Sequence, residues 1–355
     1  MSFEYPIDGF VIKVNQLDIQ DKLGATKRAP RGVKAFKFNT TRAIKNTKVV
    51  RGKQNKIKSK MDSLYRDIEY YQDQYYNRSN SVIPDSAYDE LLEELRNLEN
   101  DYPEYKRINT PTERIAPRLT CDSKKQKHIV PMLSIDNINK KNVLESLRKF
   151  EFYAQKTAGR KKVNYVVEEK IDGIAVSLWY LHGKLYKAIT RGDGIEGLEI
   201  TDKASMIENL PHTLKGENIP AFLEIRGEIF MTYNDFEILN IYLRDNTKPY
   251  ASPRDATSGT ILQGNLEALD KRVLLYSTHS IGAILETVVD NVNLDALETL
   301  KNDYKVKFAS TYDSMIKTFE SWGLPVIQNR KVVDSIQSVY RLCMNRNQKN
   351  KKQYA

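Results

Sequence analysis

Cysteine is scarce in this chain. Of 355 residues only Cys121 and Cys343 are cysteine, too few and too far apart for a disulfide framework, so the expectation is a reducing, cytoplasmic setting. Long apolar runs are missing too: no stretch approaches the roughly 20 residues that cross a bilayer, so no membrane association is expected. The opening MSFEYPIDG has no basic n-region and no apolar h-region, and does not read as a signal peptide. Histidine is rare as well. His128, His182, His212 and His279 stand at no metal-ligand spacing with one another or with cysteine, which argues against a structural zinc site.

Positive charge is plentiful. The chain carries a net +10, and residues 39–60 hold eight Lys/Arg and no acid, with a smaller basic cluster at Lys349, Lys351 and Lys352. Charge alone supports two readings of 39–60 equally: an arm for a polyanion, or a solvated linker. At 40% hydrophobic the chain can bury a large core, and its length suits one large domain with a small one attached.

Periodicity gives a coarse map. Leu64, Ile68, Tyr71 and Tyr75 recur at helical spacing over 62–78. Asp85 stands where an N-cap would, ahead of Leu91, Leu92, Leu95 and Leu98, and Pro103 ends that run. These predict a small helical module over 61–120. A further helix is expected within Ile135 to Phe150, beginning near Asn137 or Asn139. From Asn164 the texture turns to strand, with YVVEEKIDGIAVSLWY and KLYKAITR joined at Leu181-His182-Gly183. FLEIRGEIFM (222–231) and KRVLLYSTHSIGAIL read as strands; YNDFEILNIYLRDN, DSMIKTFESWG and DSIQSVYRLCM read as helices. The expected class is α+β with a largely antiparallel sheet.

Several stretches could carry chemistry. Gly192 to Gly197 satisfies G-x-G-x-x-G, but it follows a hairpin arm rather than opening the helix of a βαβ unit, and two acids inside it oppose a pyrophosphate. A structural glycine loop is the better reading. Strand period puts Lys170 and Asp172 on one face, with Gly173 permitting close backbone approach. This is either a solvent-facing pair or a site whose lysine acts as nucleophile. Glu224, Arg226 and Glu228 share a face of another strand, which could be its wet side. Lys34 and Lys37 in VKAFKF carry the same ambiguity.

The combination resembles the nucleotidyltransferase core of NAD-dependent DNA ligases, an ATP-grasp-like adenylation domain with antiparallel sheets. Lys170-Ile171-Asp172-Gly173 is similar to the family's KxDG motif, LEIRGE (223–228) to its third, Asp8 to Lys13 to its fourth, and Lys34 to Phe38 to its fifth. KPYASPRDATSG (248–259), TRGDG (190–194) and PMLSIDN (131–137) resemble further family segments. The helical module resembles the small all-helical domain that holds the nicotinamide mononucleotide (NMN) half of NAD. There Tyr75, Tyr76, Asp85, Tyr88 and Asp89 fall at matching positions.

The order differs from the family. The fourth and fifth motifs come first, so the resemblance implies a circular permutation. Residues 1–38 are then the last strands of the nucleotidyltransferase domain, 39–60 a basic linker, 61–120 the NMN-binding domain, 121–345 the main part of the core and 346–355 a basic tail. The linker's 22 residues could span roughly 50 Å or more if extended. The resemblance also implies roles. Lys170 takes AMP from NAD, with Asp172, Lys13, Lys37 and Glu228 in the catalytic group and nearby cations lowering the pKa of Lys170. Glu168, Arg191, Arg254, Ser134 and Ile135 contact the nucleotide. Mg²⁺ has Asp172, Asp8 and Glu228 as candidate ligands. Leu262 stands where the family has an arginine on phosphate. Nothing resembles the family's oligonucleotide-binding (OB), zinc, helix–hairpin–helix or BRCT domains. The expected partners are therefore nicked DNA and a second subunit carrying the OB and helix–hairpin–helix domains, as in a split ligase of DNA replication or repair; a compact, divided ligase suits a viral genome. The competing expectation is a catalytically limited NAD- or DNA-binding scaffold. An RNA ligase or capping-type transferase shares the KxDG lysine but leaves the NAD-type module unexplained.

Overall fold

A computed structural model describes residues 4–38, 53–78, 82–107, 110–113, 124–244, 249–262, 272–286 and 309–353. The chain forms two compact units, Met1–Phe38 with Ser123–Ala355, and Asn39–Asp122.

The larger unit holds two main sheets. The first has five strands in the order β11-β5-β1-β2-β4: β1 (Ile7–Val14), β2 (Val33–Lys37), β4 (Asp136–Asn137), β5 (Tyr165–Ile171) and β11 (Arg330–Val333). All pairs are antiparallel except β2 with β4. The alternation of β1 and β5 decides its faces. Phe10, Ile12 and Val14, with Tyr165 and Val167, point one way into an apolar core closed by Leu147, Phe150, Ala154, Ile336, Val339 and Cys343. The latter belong to helices α4 (Val143–Ala158) and α9 (Ile336–Gln353), and Ile19 and Leu23 of α1 (Leu17–Leu23) join the same core. The opposite face carries Lys170, Glu168, Gly9, Val11, Lys13 and Lys37.

The second sheet is antiparallel, in the order β10-β9-β6-β7: β6 (Ile174–Leu181), β7 (Lys184–Thr190), β9 (Phe222–Phe230) and β10 (Leu275–Leu285). His182 and Gly183 have φ of 48° and 73°, the left-handed pair that a two-residue hairpin turn needs. A small ribbon pairs β3 (Lys125–Lys127) with β8 (Glu196–Leu198). Helices α5 (Thr201–Ala204), α6 (Tyr233–Arg244), α7 (Pro253–Leu262) and α8 (Tyr312–Ser321) complete the unit. The smaller unit is a hairpin of α2 (Lys53–Arg78) and α3 (Asp85–Asp101), packed through Met61, Leu64, Tyr65, Ile68, Leu92 and Leu95.

The class is the expected α+β, and five boundaries move. Helix α2 starts at Lys53, inside the segment read as linker, where the Lys and Gln residues of KQNKIK are good helix formers; residues 39–52 lie outside the described set. Pro84, extended at φ −61° and ψ 147°, takes the cap position and Asp85 is the first helical residue. The stretch 135–150 is not one helix. Asp136–Asn137 pair with Lys34 and Ala35, and the helix runs from Val143 to a left-handed Gly159. The run 165–181 is two strands in different sheets. Helix α9 continues through the residues read as a basic tail.

Candidate active site

The break between β5 and β6 makes the site. After Ile171 the chain leaves the first sheet at Asp172-Gly173 and enters the second. A Cβ on Gly173 would lie 2.1 Å from the Ile229 carbonyl oxygen of β9, so only glycine lets the two strands approach here. Lys170 is therefore the penultimate residue of β5, where the sheets diverge.

Register brings three chain segments together. Gly9 of β1 lies opposite both Lys170 and Lys37, and a bulge between Ile7 and Gly9 turns Asp8 toward them. The Asp8 carboxylate lies 3.0 Å from Lys170 Nζ and 4.0 Å from Lys37 Nζ. Arg254, in the first turn of α7, pairs with Asp172, and the Asp172 backbone N–H donates to the Pro6 carbonyl at 2.9 Å.

Electrostatics here run against one expectation. Burial alone would lower the pKa of Lys170, but the carboxylates of Asp8, Asp172 and Glu228 outweigh it and hold it above the ordinary lysine value. Lys170 is thus an ammonium at neutral pH. The cations expected to depress it, Lys37 and Lys13, each face an acid: Lys37 lies 4.0 Å from Asp8 and Lys13 lies 2.6 Å from Glu168. Glu228 is pushed up to about 7, by burial first and then by Asp8, against the pull of Lys170 and Arg191. Its Oε2 is buried with no hydrogen-bond partner among the described residues.

Lys13 is not beside Lys170. It lies opposite Val166 on the same sheet face, four positions along β1 from Gly9, about 13 Å away at strand rise. Its amine makes a buried network instead, 2.6 Å from Glu168 and from the Tyr312 hydroxyl, and donating to the His279 carbonyl at 3.0 Å. Tyr312 also donates to Glu168 at 2.8 Å. Burial pushes Lys13 below its usual pKa while Glu168 pulls it back up.

On β9, Glu224 and Arg226 are buried rather than wet. Glu224 accepts from Ser177 at 2.8 Å and from Arg226 Nε at 3.0 Å. Arg226 also donates to the carbonyls of Val130 and Pro131, which ties down the PMLSIDN segment. Ser134 is held through its backbone N–H to Arg28 at 2.8 Å, and both Ser134 and Ile135 are partly exposed. The TRGDG loop is a tight connection from β7 to β8, not a helix start. Asp193 Oδ1 accepts the N–H groups of Ile195 and Glu196 at 2.9 Å, and a Cβ on Gly192 would strike the Glu196 carbonyl. Arg191 opens it, its carbonyl 3.0 Å from His128 Nε2.

In the smaller unit, Tyr88 and Asp89 lie on α3, and the Tyr88 hydroxyl accepts from Gln72 at 2.8 Å. Tyr75 and Tyr76 are on α2 and Asp85 on α3, with side chains outside the described set. Leu262 ends α7, half-buried. Among the described residues no three His, Cys, Asp or Glu side chains converge as metal ligands. Asp8 and Asp172 each face a cation, so these residues do not form a protein cage for Mg²⁺. Sequence reasoning missed Tyr312 and the buried Glu169, which accepts from Tyr5 at 2.8 Å, from Asn329 at 3.2 Å and from Arg346. Glu169 stands next to the KIDG lysine, but nothing local marks its partners.

Comparison with known proteins agrees with this geometry. Residues 54–116 match the model of the DNA ligase-like N-terminal NAD⁺-binding domain. The chain is 32% identical over 285 residues to a DNA ligase of Shewanella frigidimarina, covering 80% of this chain and 39% of that protein. It is 34% identical over 284 residues to one of Coxiella burnetii, covering 79% and 39%. With one of Thermosipho africanus it is 39% identical over 220 residues, covering 62% and 32%. The chain thus spans well under half of these relatives' length. Residues 1–41 and 120–355 together match the NAD-dependent DNA ligase adenylation domain, and the chain belongs to that family.

Proposed function

We propose that this chain is the adenylating part of an NAD-dependent DNA ligase. The observation that carries the reading is the cluster of Lys170, Asp8 and Lys37, drawn from strands far apart in sequence onto one sheet face. Lys170 gives up its proton, for which Asp8 at 3.0 Å is the nearest acceptor described, and its amine attacks the α-phosphorus of NAD. The N–P bond forms, the bond to NMN breaks, and AMP stays on Lys170. Lys37 offsets charge that develops on the phosphate. Glu168 and Glu228 meet the adenosine, with Glu228 at the ribose, and Arg191, Arg254, Ser134 and Ile135 border the nucleotide. The reading gives Tyr75, Tyr76, Asp85, Tyr88 and Asp89 the NMN half. Lys13 acts through Glu168 rather than at the phosphate. Mg²⁺ would reach the site with the phosphates and would offset their charge there.

AMP then passes to a DNA 5′-phosphate, and a 3′-hydroxyl displaces it to seal the nick. The same proposal has a second subunit supplying the oligonucleotide-binding and helix–hairpin–helix domains. The position of β1 and β2 inside the sheet of β5, although they come first in the chain, supports a circular permutation of the family order, with 1–38, 61–120 and 121–345 in the domain roles read above. Incubation with NAD and Mg²⁺ is expected to add the mass of one AMP to the wild type and none to Lys170→Ala. An unchanged wild-type mass would end the reading. Leu262, in place of a phosphate-binding arginine, favours a second reading, a non-catalytic NAD- or DNA-binding scaffold. That reading expects nick binding by wild type and Lys170→Ala alike, and no adenylate on either.

A further inference from the structure

The basic charge of this chain has a second focus. Residues 140–162 hold eight Lys/Arg against Glu145 and Glu151. Most lie on α4 and the turn that follows it. The inner face of α4 is spent on the core through Leu147, Phe150 and Ala154. Its outer face forms two neighbouring rows at i, i+4 spacing: Arg148–Phe152–Lys156, and Glu145–Lys149–Tyr153. Phe152 and Tyr153 are 59% and 60% exposed, and their rings meet edge to face with centroids 5.7 Å apart. A helix with a satisfied apolar face has no packing reason to present two adjacent aromatics to water.

The cations around them are also free of internal work. Lys149 pairs with Glu145 at 2.8 Å, but among the described residues no ion pair involves Arg148, Lys156, Arg160, Lys161 or Lys162. The helix dipole accounts for Lys156 in the last turn, not for the three that follow. Those three are held in place. Gly159 turns left-handed at φ 64°, Arg160 N–H donates to the Gln155 carbonyl, and the Gln155 side chain donates to the Lys161 carbonyl at 2.7 Å. The turn therefore presents three exposed cations from a fixed backbone beside the aromatic pair.

We propose that the outer face of α4 and the 160–162 turn form a nucleic-acid docking surface separate from the adenylation site. Phosphates would lie along Arg148, Lys156 and Arg160–Lys162, and unpaired bases would stack on Phe152 and Tyr153. This pairing of a cationic track with exposed aromatic faces fits a single strand or frayed end better than a closed duplex. The surface lies on the side of the five-stranded sheet opposite Lys170, since α4 packs on the face that carries Tyr165 and Val167. Only the class of partner is borrowed from the proposed function; the surface itself needs no adenylate.

The test is fluorescence anisotropy of the full chain with a labelled single-stranded oligonucleotide, without NAD, over a salt series. Phe152→Ser/Tyr153→Ser is expected to weaken binding about five- to hundredfold, as loss of base stacking does. Arg160→Gln/Lys161→Gln/Lys162→Gln is expected to flatten the log–log salt slope by about 2, as loss of three single-strand phosphate contacts does. A control replacing the exposed Lys22, Lys184 and Lys215 by Gln should change the slope less. Lys170→Ala should bind like the wild type, and AMP transfer should persist in both α4 variants. Wild-type affinity and slope in both α4 variants would overturn the docking surface, and would leave the AMP assay untouched as the judge of the proposed function.

Discussion

A lysine flanked by three carboxylates is a poor nucleophile until it is deprotonated, and the Lys170 environment makes that cost measurable. The reactive form is the neutral amine, so the single-turnover rate of AMP transfer should rise with pH toward the elevated pKa of Lys170. Removing the nearest negative charge lowers that pKa. Asp8→Asn is therefore expected to move the rising limb of the pH–rate profile to lower pH, and a limb that stays put would disprove the carboxylate control. Glu228 titrates the other way. Its folded pKa, about 7, exceeds the ordinary carboxylate value, so the folded state binds the extra proton between about pH 4.5 and 7. The stability it contributes is full below that window and falls as pH rises through it, on the order of 3 kcal/mol in total. Urea midpoints of wild type against Glu228→Gln should show this difference growing from pH 4.5 to 7 and levelling above. Lys170 and Glu228 were legible in the sequence because each sits in a short local pattern. Tyr312 was not, since its partners Glu168 and Lys13 are 144 and 299 residues away, and nothing local marks the pairing of Lys13 with them.

Elements, rather than residues, decide where the KIDG segment ends up. The run from Tyr165 to Leu181 reads as one strand because strand-forming residues, Tyr165–Val167 and Ile174–Leu181, stand on both sides of EEKIDG. Its break is dictated by β9, whose Ile229 carbonyl leaves no room at Gly173, and no local pattern contains that partner. Gly173→Ala should thus cost stability well beyond a helix- or strand-propensity effect, about 2 kcal/mol or more given a backbone collision that no rotamer relieves. A thermal or urea transition within about 0.5 kcal/mol of wild type would contradict the close approach. The same logic explains the misplaced start of α4, where β4 is recruited by β2 from about a hundred residues upstream. Elements with strong periodicity of their own, α3, α8, β9 and the β6–β7 hairpin, were readable because their pattern is complete within a dozen residues or so.

At the scale of the molecule, Glu169 joins the two ends of the chain. Tyr5 comes from the N-terminal segment, Arg346 from α9, and both hold one buried carboxylate beside Lys170. Arg346→Ala would leave that carboxylate without its one ion-pair partner among the described residues. Because Arg346 is partly exposed, the expected loss is about 1–3 kcal/mol rather than the larger penalty of a fully buried pair. A double-mutant cycle with Tyr5→Phe should return a coupling above about 0.5 kcal/mol, and additive effects would mean the ends are not linked through Glu169. The sheet order has a cost during biosynthesis. Strands β1 and β2 leave the ribosome first, yet the neighbour that flanks β1 begins at Tyr165. At about 5–20 residues per second, the N-terminal strands wait many seconds with one edge unsatisfied. Newly made chains of this kind should be among the clients that holding chaperones shelter until the late strands arrive.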